Sequence, residues 1–79
     1  MLSERIRKLV AHELKLPIDQ VGESASAEVL EQWDSIAHIN ICLAIQGEFG
    51  IDMSTDEIGE SDSIPALITL VERKQAAET

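Results

Sequence analysis

Tyrosine is absent from the 79 residues, and Trp33 and Phe49 are the only other aromatic side chains. A sheet held by aromatic cross-strand pairs is therefore disfavoured. Positive charge is scarce as well: six Lys and Arg stand against fifteen Asp and Glu, for a net charge of −9. Such a surface repels phosphate backbones and argues against nucleic-acid binding, while steering the chain toward basic patches on other proteins. The single cysteine, Cys42, allows no internal disulfide. It lies in an apolar run and reads as a buried, inert thiol. No apolar stretch approaches the length of a membrane span, so no membrane insertion is expected. The start, Met1-Leu2-Ser3-Glu4-Arg5, turns charged at once and lacks a signal-peptide core. A cytoplasmic setting is the expectation.

What the chain does have is helix-forming aliphatics: Leu, Ile and Ala, with Glu and Gln. Its length suits one domain over residues 1–79, too small for a deep enzyme pocket, so function is expected on the surface or in a group attached later. Charge is unevenly spread. Residues 1–16 carry Arg5, Arg7, Lys8 and Lys15 against Glu4 and Glu13, whereas the rest carries thirteen acids against Arg73 and Lys74.

Periodicity places three main helices and one short one. Ile6, Leu9, Val10 and Leu14 form one buried stripe of a helix from about Ser3, its cap, to Leu14, with Pro17 preventing continuation. Residues 17–34 are a long loop whose scattered anchors are Val21, Val29, Leu30 and Trp33. A second helix opens near Ser35 and ends at Gly50. On its wheel Ile39, Cys42, Ile45 and Phe49 share a core sector, with Ile41 on the edge. Ile36 and Leu43 lie apart, among Ala37, Asn40, Ala44 and Gly47, on a small uncharged surface suited to partner contact. A short turn starts at Ser54 or Thr55 and ends at Gly59. The last helix has Ser63 as cap and Pro65 in its first turn, continues through Ile64, Leu67, Ile68 and Val71, and frays from Gln75 to Thr79. The fold class is all-α, a four-helix bundle with a long first loop.

The informative spot is Trp33-Asp34-Ser35-Ile36, where that loop meets a helix start. A serine there presents a hydroxyl beside free amides and the positive end of the helix dipole, which favours a phosphate ester. Asp34 or Ser35 also caps the helix, and a cap residue can itself be modified. Other chemistry is excluded locally. Ser35 lacks a Gly-x-Ser-x-Gly setting. His38 reads as a packed, hydrogen-bonded residue, and His12 as exposed. With Cys42 placed on another face from His38, no zinc site forms. In the Asp52-x-Ser54-x-Asp56 run Glu57 replaces the glycine that a calcium loop needs.

Trp33-Asp34-Ser35-Ile36, followed by Ile39, Cys42, Ile45 and the ending Gln46-Gly47-Glu48-Phe49-Gly50-Ile51, resembles the acyl carrier protein family. The resemblance spans roughly residues 3–73 and includes the order of helices, the long first loop and the Ser-capped last helix. It implies a carrier without enzymatic activity. A phosphopantetheinyl transferase would move 4'-phosphopantetheine from coenzyme A onto Ser35 Oγ, leaving a thiol to carry acyl or aminoacyl groups as thioesters. Asp34 would help position that enzyme and its metal ion. Ile36, Asn40, Leu43, Glu48, Asp56 and Glu57 would meet partners, among them an acyl-loading ligase or transferase and a downstream synthase. Ile39, Ile45, Phe49, Ile58 and Leu67 would shelter acyl chains. A monomer is expected. The second helix departs from the family's acid-studded pattern: Ala37, Asn40, Gln46 and Gly47 occupy the matching exposed positions, and only Glu48 is acidic. That departure points to a dedicated lipid, polyketide or aminoacyl route rather than general fatty-acid synthesis. Two other readings stay open: an unmodified helical interaction module, and a regulatory protein phosphorylated on Ser35.

Overall fold

The computed structural model describes residues 1–77. Four helices follow in order: α1 (Leu2–Leu14), α2 (Ser35–Phe49), α3 (Thr55–Glu60) and α4 (Ile64–Ala77). A 3-10 turn, Ile18–Gln20, interrupts the long first loop. Among the described residues there is no strand, and the architecture is the all-α bundle that the periodicity indicates.

The α1 helix starts earlier than Ser3. The Met1 carbonyl accepts the Arg5 amide at 3.1 Å, so Met1 is the cap position and Ser3 falls inside the first turn. Ile6, Val10, Ala11 and Leu14 are buried, while Leu9 is only partly covered at the edge of the stripe. At the far end Lys15 adopts the left-handed conformation at φ 59°, and the Leu16 amide returns to the Ala11 carbonyl at 2.9 Å. The helix is thus closed by a C-terminal turn before Pro17 is reached.

The first loop is held by specific bonds. Val21 and Trp33 are buried as expected, and Leu30 is partly buried. Val29, expected as an anchor, is instead exposed. The amides of Val29 and Leu30 both turn back to the Ser26 carbonyl, and that turn points Val29 outward. Arg7 reaches across from α1 and donates through Nε to the Val21 carbonyl at 2.7 Å. An antiparallel bridge joins Ser26 to Ser63, with Ala27 N–H donating to the Asp62 carbonyl and Ile64 N–H to that of Ala25, both at 2.9 Å. The loop is therefore fastened to the start of α4.

The α1 helix packs against α2 and α4. The core they enclose takes Ile41, Cys42, Ile45 and Phe49 from α2 and Ile64, Leu67, Leu70 and Val71 from α4. Ser54 caps α3 through a capping box with Glu57, and the helix runs past Gly59 to Glu60. Ser63 Oγ accepts the Ala66 amide, as its sequence position indicates. The α4 helix continues through Gln75 to Ala77, past the point where the sequence leads one to expect it to end; Glu78 and Thr79 lie outside the described residues.

Candidate functional site

The α2 helix owes its position to both of its ends. Asp34 Oδ1 accepts the Ala37 amide at 2.9 Å, which settles the capping question in favour of Asp34. At the other end Gly50 takes the left-handed conformation, φ 63°, that a side chain would resist. Gln46 is partly buried rather than exposed: its Nε2 donates to the Cys42 carbonyl and its Oε1 accepts the Met53 amide, pinning the segment toward α3.

Ser35 is then the first residue of α2, and it is exposed. Helix geometry leaves the amides of this first turn without intrahelical acceptors, and the Asp34 carboxylate satisfies only that of Ala37. Apart from the cap, the first turn carries no acid. An unhindered hydroxyl, unused amides and the helix dipole therefore converge on one point. That donor set fits a phosphodiester.

Behind Ser35 lies a side-chain cluster on the inner face of α2. The Trp33 indole, 2% exposed, donates through Nε1 to His38 Nδ1 at 3.0 Å. His38 Nε2 lies 2.6 Å from the Ile58 carbonyl of α3 and 3.6 Å from Cys42 Sγ. His38 and Cys42 thus share a face, against expectation. They are one helical turn apart, and the core sector of α2 is centred on His38 rather than on the Ile39 side of the wheel. The pair is still no nucleophilic dyad. Burial pushes the Cys42 thiol up to about 11. Nor do the described residues hold any group of three or more His, Cys, Asp and Glu placed to bind a metal ion.

The same rotation of the core sector corrects another expectation. Ile41 is fully buried, whereas Ile39 is 54% exposed. Ile39 joins Ile36 at 74% and Leu43 at 62%, with exposed Asn40 beside them. Each such side chain forgoes roughly 1.5–3 kcal/mol of burial. Three on one surface are not there for the stability of the isolated chain. The acids expected to meet partners divide. Asp56 is exposed. Glu48 is bound by Arg5 at 3.1 Å, and Arg5 also lies 4.6 Å above the centre of the Phe49 ring. Glu57 is drawn inward, with Lys74 at 2.9 Å and Arg73 at 3.4 Å. The Ser54 amide and then Lys74 hold its carboxyl down at about 2, from an ordinary 4.5.

The residues expected to shelter an acyl chain line neither of two surface grooves. One groove of about 300 Å³ runs between α3 and α4, past Glu60, Pro65, Thr69 and Arg73. Another, of about 330 Å³, lies among Arg5, Lys8, Leu9, His12 and Glu48. Neither touches Ile39, Ile45, Phe49, Ile58 or Leu67, and Ile45 and Leu67 are fully buried in ordinary core.

Comparison with known proteins bears on the chain as a whole. Residues 4–71 match the family described as "Phosphopantetheine attachment site". Among solved structures, the chain is similar to the holo acyl carrier protein from Geobacter metallireducens determined by solution NMR. The TM-score is 0.82 at 18% sequence identity, covering 96% of this chain and 87% of that one.

Proposed function

The chain belongs to the phosphopantetheine attachment family, and on that premise we propose that Ser35 is its attachment residue. It is a carrier of the acyl carrier type, without catalysis of its own, and its cofactor is a covalently attached 4'-phosphopantetheine. The observation that supports Ser35 is its exposed hydroxyl at the capped start of α2, beside amides that helix geometry leaves unused. When bound, the arm supplies a terminal thiol that carries acyl or aminoacyl groups as thioesters. Ser35 contributes an accessible nucleophile and then an ester oxygen whose phosphate is favoured by the helix start. Asp34 keeps that start in place through Oδ1. Its Oδ2, unbonded among the described residues, is available to a metal ion held by the transferase.

The partners we assign are a phosphopantetheinyl transferase, a loading ligase or transferase, and a downstream synthase. They dock on Ile36, Ile39, Asn40 and Leu43, with Asp56, an exposed acid of α3, as a further contact. With Glu48 occupied by Arg5 and Glu57 by Lys74 and Arg73, charge contributes less to this contact than apolar burial does. This supports a dedicated lipid, polyketide or aminoacyl pathway rather than general fatty-acid synthesis, and a monomeric carrier domain over residues 1–79. No helix among the described residues is long and apolar enough to cross a membrane. We assign a cytoplasmic setting to match coenzyme A supply.

Intact mass after incubation with coenzyme A and a broad-specificity transferase tests the assignment. The wild-type chain gains one arm and the Ser35→Ala variant gains none. A gain that survives the substitution places the attachment elsewhere. Turnover of the loaded carrier by a fatty-acid ketosynthase, at the rate of that enzyme's own carrier, would sink the pathway reading. The exposed Ile36, Ile39 and Leu43 favour one second reading, an unmodified docking module; a wild-type chain inert to every competent transferase would leave that reading standing.

A further inference from the structure

The hydrogen bonds of His38 admit one consistent assignment. An indole N–H can only donate, so the Nδ1 that receives it at 3.0 Å carries no proton. The imidazole proton then sits on Nε2, where it donates to the Ile58 carbonyl at 2.6 Å. One ring therefore holds two separate parts of the chain: the loop residue two positions before Ser35, and the last turn of α3. Asp34 gains its bonds from the first turn of α2 itself, at Ala37 N–H and at His38 N–H, the latter donating to the Asp34 carbonyl at 2.8 Å. Those bonds shape the turn without fixing it to the preceding loop. That fixing falls to Trp33, whose amide bonds to the Leu30 carbonyl and whose buried indole bonds to His38.

We propose that His38 is a positioning residue for modification at Ser35, acting through its Nδ1 bond to Trp33, while its Nε2 bond separately holds α3. The inference rests on Ser35 being the attachment residue. If the Trp33 bond is lost, a buried indole N–H has no acceptor. The indole then turns to find one, and the chain just before the cap moves with it. The hydroxyl of Ser35 samples a wider range of positions, while the docking side chains Ile36, Ile39 and Leu43, on the outer face, are unchanged.

Steady-state transfer from coenzyme A, catalysed by a phosphopantetheinyl transferase with this chain as varied substrate, separates the two bonds. His38→Ala should lower kcat by roughly tenfold to a hundredfold, the scale of a misplaced reacting group, with KM little changed. His38→Asn places an acceptor near the Nδ1 position and should recover most of that loss. His38→Gln places a donor near the Nε2 position and should stay as slow as Ala, yet keep the α3 amides protected from exchange, which Asn does not. Melting temperatures of all three report stability alone. Equal rates in the Asn and Gln variants, or rates that follow melting temperature, overturn the proposal. The native imidazole provides a check independent of any variant: its nitrogen-15 shifts should show protonation at Nε2 alone, and an Nδ1–H form overturns the proposal too. A wild-type chain that takes no arm sinks the assignment of Ser35 instead.

Discussion

The residue that caps α2 and the residue proposed to carry the arm are neighbours with different tasks, and substitution can separate them. Asp34 supplies the capping oxygen, so Asp34→Ala should cost about 0.5–2 kcal/mol of stability. Ser35, exposed at the first helical position and making no capping bond, should tolerate Ala with a much smaller shift in thermal melting while losing all modification. If Ser35→Ala melted lower than Asp34→Ala, the cap would be misassigned. The two residues could not be told apart from sequence, because Asp and Ser serve equally well as caps. Cys42 allows another residue-level test. Its thiol sits at about 11 through burial, so at neutral pH almost none of it is thiolate. A thiol reagent should find no reactive group in the native unmodified protein, one after the arm is attached, and Cys42 only in denaturant. Rapid native labelling of Cys42 would contradict its burial.

Helix order and the ends at Gly50 and Ser63 were legible, and the starts at Asp34 and Ser54 to within one residue, because caps and left-handed closures carry sequence signals. What periodicity could not settle was which arc of α2 faces inward. That helix has aliphatics on nearly every side, and the inner arc is centred on a histidine, whose burial depends on partners twenty residues away and five residues back. Ile39 was therefore misplaced and the link from His38 to Cys42 missed. The inward turn of Glu57 was equally hidden, since Lys74 and Arg73 reach it from a different helix. Glu57 joins α3 to α4, and the Ser54 amide and Lys74 hold its carboxyl at about 2 against 4.5. With the folded value depressed, its contribution is fully present above about pH 4.5 and is lost as pH falls toward about 2. Glu57→Gln keeps an acceptor for the Ser54 amide but no charge. The wild type should resist urea better than this variant at about pH 6, and the gap should close by about pH 2. A gap that stayed constant would show that the carboxylate charge plays no part.

Across the whole molecule, attraction and repulsion between charges are both present, and salt decides between them. Four ion pairs are found among the described residues: Arg5 with Glu48, Lys8 with Glu4, and Glu57 with both Arg73 and Lys74. Most of these groups are well exposed, and exposed pairs are worth about 0–1 kcal/mol each. Against them stands a net charge of −9 on a chain of 79 residues, with Asp52, Asp56, Glu60 and Asp62 all exposed near the short α3 helix. Salt weakens both terms, but like-charge pairs outnumber opposite ones by about four to three when fifteen acids face six cations. Repulsion is therefore the larger quantity removed. Melting temperature should rise between dilute buffer and moderate sodium chloride. A gain of about 1 kcal/mol would appear as a shift of about 4–8 °C in a domain this small. Chloride is the informative anion, because sulfate strengthens apolar burial by itself and would raise the melting point for another reason. A fall in melting temperature would mean that the Arg5, Lys8, Arg73 and Lys74 pairs outweigh the acid surplus, and an unchanged one would mean that the repulsion is no larger than the attraction those pairs supply.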